Sequence, residues 1–163
     1  MKVRDVMTDE VKSCGSDTSL AEAVSIMWKN DCGTLPVIAD DGRVIGMVTD
    51  RDLAVAAGTR NQLPSQIRVA EVMSQSLHYC NPDDDIHTAL ETMRREKLRR
   101  LPVLNSNGLL EGILSVNDIA LHAEKFDGHK TTALSYEDVV NTMRAICEHR
   151  HPSAATEARA AVL

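Results

Sequence analysis

An internal repeat constrains the fold of this chain more than any other feature of its sequence. Residues 5–57 align with residues 71–123 without a gap, each residue pairing with the one 66 positions later, and 14 of the 53 pairs are identical. A repeat of this length means two copies of one supersecondary unit. Because two copies cannot build an extended array, we predict that they pack on each other about a pseudo-two-fold axis.

Both copies predict the same order of elements, β-α-β-β-α, and therefore an α/β fold. A short strand near residues 11–14, with its equivalent near 77–80, comes first. A helix follows, with Ser16 or Asp17 as its N-cap. Its apolar stripe consists of Leu20, Ala23, Val24 and Met27. Two apolar runs around an Asp-Gly or Asn-Gly turn are then typical of a β-hairpin, because glycine tolerates the positive φ of tight turns. A second helix closes each copy.

The repeat also predicts the organisation of the chain. Repeat 1 covers residues 1–57, a connector with Gly, Pro and polar residues covers 58–70, and repeat 2 covers 71–123. Residues 124–163 are predicted to form a loop, a helix and a flexible tail. For this C-terminal helix we predict a cap at Ser135, with Asp138 three residues later. Its predicted apolar stripe consists of Val139, Val140, Met143 and Ile146.

Composition and charge argue against several classes of protein. Aromatic residues make up only 2% of the chain and the net charge is −6, so we expect no nucleic-acid-binding surface. The one basic cluster is short, from Arg94 to Arg100. The sequence has no apolar run long enough to span a membrane and no signal-peptide pattern at its start, so we expect a cytoplasmic protein that does not bind membranes.

A short motif occurs in both copies: Gly, then Thr or Ser three residues later, then Asp after three more. Its residues are Gly46, Thr49 and Asp52 in repeat 1, and Gly112, Ser115 and Asp118 in repeat 2. From the spacing alone, a capping box at a helix start is the favoured interpretation. The alternative is a ligand site, because a helix N-terminus favours an anion such as phosphate and an Asp there can accept hydrogen bonds from a ribose diol.

The two copies in register resemble the CBS domain, named for cystathionine β-synthase. The resemblance rests on the tandem repeat, the LPV strand, the turn that ends in glycine and the motif above, and it covers residues 1 to about 123. The likeness is strongest to small stand-alone bacterial proteins that are little more than a CBS pair. It implies a regulatory module that binds an adenosyl ligand: AMP, ADP, ATP, S-adenosylmethionine or an NAD-type compound. It also implies a homodimer.

The resemblance also implies roles for individual residues. Asp52 and Asp118 would hold ribose hydroxyls, with Thr49 and Ser115 near the sugar and phosphate. Basic residues just before the LPV strand would meet the phosphates. That position holds Arg99 and Arg100 in repeat 2 but Gly33 and Thr34 in repeat 1, and Arg51 of the first motif would serve the other cleft. Since only Arg offers a planar fork to phosphate, we favour the cleft of Asp118 and Arg100.

Other groups of polar residues give weaker signals. Cys147, His149 and His151 are spaced by two, so they would not converge on a metal ion from one helix. Cys14 and Cys80 are repeat equivalents that we interpret as small buried hydrophobic residues, although a redox role stays open. No known catalytic motif appears, so we expect no enzyme and no required cofactor. The alternative to ligand sensing is a protein-interaction or stress-response module, with a partner contacting the C-terminal helix.

Overall fold

The computed structural model describes residues 1–124 and 133–148, and it has the predicted α/β architecture with a C-terminal helix. Repeat 1 contains β1 (Cys14–Gly15), α1 (Leu20–Lys29), β2 (Thr34–Ile38), β3 (Val44–Thr49) and α2 (Asp50–Thr59). Repeat 2 contains α3 (Ile86–Glu96), β4 (Arg100–Leu104), β5 (Leu110–Ser115) and α4 (Val116–His122). Helix α5 (Tyr136–Cys147) follows.

The two repeats have matching strand pairings. In repeat 1, β1 runs parallel to β2, which pairs antiparallel with β3 so that Thr34 lies opposite Thr49. In repeat 2, β4 pairs antiparallel with β5, and Arg100 lies opposite Ser115 in the equivalent position. Cys80 forms a single parallel bridge with Val103 where repeat 1 has β1. In each hairpin, the start of the first strand therefore lies beside the end of the second strand, and α2 or α4 begins at this end of the hairpin.

The predicted caps of the helices are only partly right. Ser19, not Ser16 or Asp17, caps α1, because its hydroxyl accepts a hydrogen bond from the Glu22 amide and Glu22 accepts one from the Ser19 amide in return. Asp17 instead pairs with Arg68 at 2.7 Å. The predicted apolar stripe of α1 is also partly wrong. Val24 is 49% exposed, whereas the other predicted residues are buried, namely Leu20, Ala23 and Met27. The Ser135 cap of α5 is confirmed.

The segment that precedes the first strand of each repeat packs into the other repeat. Val3 and Val6 lie in the core of repeat 2, and Ile67 and Val69 lie in the core of repeat 1. Thr8 then bridges to Ile113 on β5, and Ser74 bridges to Met47 on β3. These four apolar side chains belong to segments without a core of their own, and this packing removes them from water. The repeats are interlocked, and each has the other's leading segment along the end of its hairpin.

The motif glycines permit this crossing. A Cβ atom on Gly46 would lie 2.6 Å from the Ser74 carbonyl oxygen, and one on Gly112 would lie 2.9 Å from the Thr8 carbonyl oxygen. Only glycine lets two backbones approach so closely. The glycines of the motif therefore have a packing role that the sequence analysis did not assign to them.

Helix α5 covers the helical face of repeat 2. Leu134 and Thr142 are fully buried, and Val139 and Ile146 pack against the same core. The predicted stripe was half wrong: Val140 and Met143 are exposed, because the buried positions follow the 139, 142, 146 spacing and leave 140 and 143 on the outer side. None of the described helices is long and apolar enough to cross a membrane.

Candidate functional site

Both copies of the Gly-x-x-Thr/Ser-x-x-Asp motif form the same capping box. The Asp118 Oδ2 atom accepts hydrogen bonds from the Ser115 amide at 2.7 Å and from the Ser115 hydroxyl at 2.5 Å. Asp52 makes the equivalent bonds to Thr49, at 2.8 Å and 2.6 Å. These bonds satisfy donors at the starts of α4 and α2. Each carboxylate is thus held in one orientation at a helix N-terminus.

The two aspartates differ in their second oxygen. Asp118 Oδ1 accepts a hydrogen bond of 3.0 Å from the Thr8 hydroxyl, which belongs to the segment of repeat 1 before β1. Ser74 is the equivalent of Thr8, and among the described residues its hydroxyl makes no hydrogen bond to Asp52. Asp118 is therefore bonded by side chains from both halves of the molecule. Its carboxylate keeps one acceptor position for a further donor, on Oδ1, since each oxygen can accept two hydrogen bonds.

A cleft of about 440 Å³ lies between the repeats beside this carboxylate, and we call it the Asp118 cleft. Three parts of the chain line it. Thr8 and Lys12 come from the segment before β1, and residues 30–34 come from the loop between α1 and β2. Repeat 2 contributes Arg100, Ser115 and Asp118 among others. Its volume falls in the range of small-molecule sites, and its walls belong to both repeats.

The cations in this cleft are available to an anion. Arg100 and Lys12 both line it, and no carboxylate of residues 1–124 or 133–148 pairs with either of them. Arg95, by contrast, pairs with Glu96 at 2.7 Å, as expected for a solvated helix face. An unpaired guanidinium opposite a helix N-terminus is well suited to bind phosphate oxygens. The cleft therefore combines the two unpaired cations with several hydroxyls and with the carboxylates of Glu10, Asp31 and Asp118.

The predicted site residues fall into three groups. The structure brings Asp118, Ser115 and Arg100 together in one cleft. Gly46 and Gly112 lie at the backbone crossings described above. The remaining residues do not line the Asp118 cleft, although their repeat equivalents do; they are Asp52, Thr49, Arg51 and Arg99.

The residues before the two LPV strands do not each line a cleft of their own repeat. Gly33 and Thr34 line the same cleft as Arg100, although they precede the LPV strand of repeat 1. Gly33, Thr34 and Arg100 are thus parts of one cleft, whereas Arg99 does not line it. Sequence reasoning also missed Thr8 and Lys12. The signal available for Thr8 was its pairing with Ser74 at the repeat offset, which puts a hydroxyl before the first strand of each repeat.

The cysteines and histidines form no candidate centre within the described part of the chain. Cys14 and Cys80 are buried in separate cores, and burial raises the pKa of their thiols to about 11 and about 12. Both behave as buried apolar side chains. Among the described residues no cluster of His, Cys, Asp and Glu could hold a metal ion. Cys147 is exposed, while His149 and His151 lie outside the described residues.

The architecture and the motif agree with one family in particular. The family model for the CBS domain matches residues 3–58 and again residues 69–125. The chain belongs to the CBS domain family. A curated relative, the CBS domain-containing protein YhcV of Bacillus subtilis, is 33% identical over 142 residues, which is 84% of this chain and 97% of YhcV.

Further similar proteins are also small CBS proteins. Hypoxic response protein 1 of Mycobacterium tuberculosis is 31% identical over 88% of this chain and 92% of its own length. A crystal structure of Hypoxic Response Protein I with two coordinated zinc ions matches at a TM-score of 0.69 with 31% identity, over 76% of this chain and all of that one. CBSX2 in complex with AMP matches at a TM-score of 0.65 with 26% identity, over 74% of this chain and 93% of that chain.

Proposed function

We propose that this protein is a non-enzymatic regulatory module of the cytoplasm that binds an adenosyl ligand in the Asp118 cleft. The observation that carries this proposal is the convergence of Asp118, Ser115 and two unpaired cations, Arg100 and Lys12, on one cleft between the repeats. Ligands of the class are AMP, ADP, ATP, S-adenosylmethionine and NAD. No cofactor is required for this function, because binding itself is the signal.

The chemistry of the cleft fits the parts of a nucleotide. The Asp118 carboxylate, fixed by Ser115 and Thr8, has one acceptor position left for a ribose hydroxyl, and it accepts the second ribose hydroxyl when the Thr8 hydroxyl turns away. Arg100 lies opposite Ser115 across the hairpin and is placed to bind a phosphate near the N-terminus of α4. CBSX2, a structural neighbour of the same family, has been crystallised with AMP, which supports a ligand of this kind.

A second cavity shares a loop with the Asp118 cleft, so its shape can respond to a ligand bound in that cleft. A groove of about 470 Å³ lies between α1 and α2, and we call it the repeat-1 groove. Asp31, Cys32 and Gly33 line this groove and also line the Asp118 cleft. A ligand that favours one arrangement of this shared loop shifts the groove between states, by an energy equal to its differential affinity for them.

The proposal is tested by isothermal titration of AMP, ADP, ATP, NAD and S-adenosylmethionine. We expect saturable binding of at least one ligand to the wild-type protein and at least about tenfold weaker binding to Asp118→Asn, since a bond to a charged group contributes roughly 1.5–3 kcal/mol. Asp138→Asn is the matched control, because Asp138 forms the same capping box on α5 but does not line the cleft. Equal losses in both variants would show that only helix capping matters.

The role of Arg100 has its own test. Arg100→Gln is expected to weaken binding of a phosphorylated ligand about tenfold or more while leaving adenosine binding unchanged, because only the phosphate needs the guanidinium. Arg95→Gln is the control, as Arg95 is exposed and already paired with Glu96. If Arg100→Gln weakens adenosine as much as AMP, Arg100 supports the shape of the cleft and is not a phosphate ligand.

The second candidate function is a stress-response or interaction module with no physiological nucleotide. The name of the M. tuberculosis relative, hypoxic response protein 1, favours it. So does the capping geometry, since Asp118 is bonded without any ligand. A folded protein that gives no binding heat with any of the five compounds would support this candidate and overturn the first.

A further inference from the structure

We propose that the Asp118 cleft selects adenosyl ligands with at most one phosphate group, because the carboxylates of Glu10 and Asp31 repel a longer phosphate chain. This inference rests on the proposed function, since it specifies which members of the ligand class bind. Both residues line the cleft. Neither belongs to the repeated motif, and neither was among the site residues that the sequence predicted.

The charged residues of the cleft lie at two depths. Arg100 and Asp118 are half-buried, whereas Glu10, Lys12 and Asp31 are exposed and therefore form the mouth. A nucleotide with its ribose at Asp118 and its first phosphate at Arg100 occupies the inner part of the cleft. Any further phosphates then extend outward, towards the residues of the mouth.

The cations of the cleft match the charge of one phosphate group. Among the described residues, Lys12 and Arg100 are the cations of the lining, and a phosphate monoester carries about 1.5 to 2 negative charges near pH 7. Glu10 and Asp31 form no ion pair with the part of the chain that the structure describes. A second or third phosphate therefore meets a mouth that has two carboxylates and one cation, where like charges repel.

The corresponding positions of repeat 2 do not carry this acidic pair. Glu10 corresponds to Ser76, and Asp31 corresponds to Lys97. Asp31 and Lys97 both have a left-handed backbone, with φ values of 49° and 54°. The repeat framework thus accepts either charge at this position, so the fold does not require an acid there. The two carboxylates are a property of this cleft alone and fit a role in selecting its ligand.

The cation at the mouth also differs from its repeat equivalent. His78 corresponds to Lys12, and its Nε2 atom lies 3.6 Å from a carboxylate oxygen of Glu96. Repeat 1 has Asn30 at the position of Glu96, and Asn30 lines the cleft beside Lys12. A neutral amide replaces the acid that would otherwise pair with the cation. Lys12 is therefore available to the single phosphate that the cleft accepts.

Isothermal titration of AMP, ADP and ATP tests the inference, in low salt and with EDTA so that no metal ion bridges phosphate and carboxylate. The wild-type protein should bind AMP at least about tenfold more tightly than ATP, with ADP between them. In the double variant Glu10→Gln/Asp31→Asn this ratio should fall below about threefold, because ATP gains more affinity than AMP. Asn keeps the left-handed backbone of position 31, since this residue type tolerates it.

The double variant Asp9→Asn/Asp40→Asn is the matched control. It also neutralises two exposed carboxylates, but neither residue lines the cleft. Its ratio of AMP to ATP affinity should stay within about twofold of the wild-type ratio, because these charges are outside the cleft. Equal changes in the two double variants would show that the net charge of the protein sets the preference, and the inference would be wrong.

Ionic strength gives a readout that a change in the shape of the cleft would not move. At about 1 M salt the Debye length is about 3 Å, so the wild-type preference for AMP over ATP should shrink at least about threefold. In Glu10→Gln/Asp31→Asn no such shrinkage is expected. A preference that persists at high salt would be steric and would contradict the role of the two carboxylates.

The outcomes separate this inference from the proposed function. ATP binding as tight as AMP binding in the wild type would overturn the inference and leave the proposed function standing. An unchanged ratio in Glu10→Gln/Asp31→Asn would do the same. If the wild type binds none of the three nucleotides, the inference is wrong, and the titrations of S-adenosylmethionine and NAD then decide on the proposed function separately.

Discussion

Repeat 1 and repeat 2 share one architecture but differ in what covers their helices. The face of α3 and α4 is buried by α5, whereas the face of α1 and α2 surrounds an open groove. The substitutions between the copies follow this difference. Val116 packs against the core of repeat 2, and its equivalent in the groove is Asp50. The two repeats thus share one framework, and helix α5 makes their helical surfaces unequal.

The two repeats differ less at their clefts. Each aspartate is held by the same capping box, and each hairpin end is crossed by the segment preceding the other repeat. The side chains around the two aspartates differ: Thr8 donates a hydrogen bond to Asp118, while its repeat equivalent Ser74 makes none to Asp52 among the described residues. The framework is therefore symmetric where backbone packing sets it and asymmetric in the side chains that surround the two aspartates.

Removing the cover of repeat 2 should have the largest effect on stability. Leu134→Ala deletes a fully buried side chain where α5 joins the core, and we expect the free energy of unfolding to fall by about 2–5 kcal/mol. Urea denaturation measures it. Leu121→Ala is the control, because Leu121 is highly exposed on α4 and should change stability by less than about 0.5 kcal/mol. Equal effects would show that α5 is not part of the core of repeat 2.

The backbone crossings offer a direct comparison between the repeats. A Cβ on Gly46 meets the Ser74 carbonyl oxygen at 2.6 Å, whereas a Cβ on Gly112 first meets the flexible side chain of Met7. Gly46→Ala should therefore lower the free energy of unfolding by about 1–3 kcal/mol, and more than Gly112→Ala does. Gly58→Ala, in open space on α2, should instead raise stability by about 0.5–1 kcal/mol. The reverse order for Gly46 and Gly112 would contradict the crossing geometry.

The buried face of α5 contains one polar atom without a partner. The Thr142 hydroxyl is buried, and it neither donates nor accepts a hydrogen bond among the described residues. Thr142→Val removes the unsatisfied group and keeps the shape, so it should raise the free energy of unfolding by about 1 kcal/mol. Val139→Thr, which adds a hydroxyl on the same face, should lower it. A destabilised Thr142→Val would mean that the hydroxyl has a partner after all.

The equivalent cysteines should have little reactivity in both repeats. Burial raises the pKa of Cys14 to about 11 and that of Cys80 to about 12, so neither is a thiolate at pH 8 in the folded protein. Cys147 is exposed and should react with a thiol reagent without unfolding. We expect Cys14 and Cys80 to react only in denaturant, as quantified by mass spectrometry. Rapid native labelling at Cys14 or Cys80 would show that a core opens.

Much of this organisation could be predicted because the repeat is visible in the sequence. The hairpin glycines Gly42 and Gly108 have φ values of 83° and 78°, as the turn pattern required. Ser135 and Asp138 form the predicted cap. These features depend on residues close together in the chain. The boundaries at 57, 70 and 123 stay a prediction, but the packing units cross them, since Val3 lies in the core of repeat 2.

What the sequence did not indicate depends on long-range packing. Thr8 and Asp118 are 110 residues apart, and no local pattern brings them together. Val140 and Met143 fit a helical stripe as well as Val139 does, and only the position of α3 decides which side of α5 is buried. Gly33 shares a cleft with Arg100 because the repeats interlock. Periodicity identifies an apolar face but not the surface that it meets.

The central claim, that the Asp118 cleft binds an adenosyl ligand, is tested most directly by amide chemical shifts. AMP titrated into the ¹⁵N-labelled protein should shift the amide signals of Thr8, Lys12 and Asp118 together, along one saturating curve. Asp118→Asn should abolish these shifts at the same AMP concentration, and Asp138→Asn should preserve them. Shifts confined to residues outside the cleft, or equal shifts in both variants, would contradict the account.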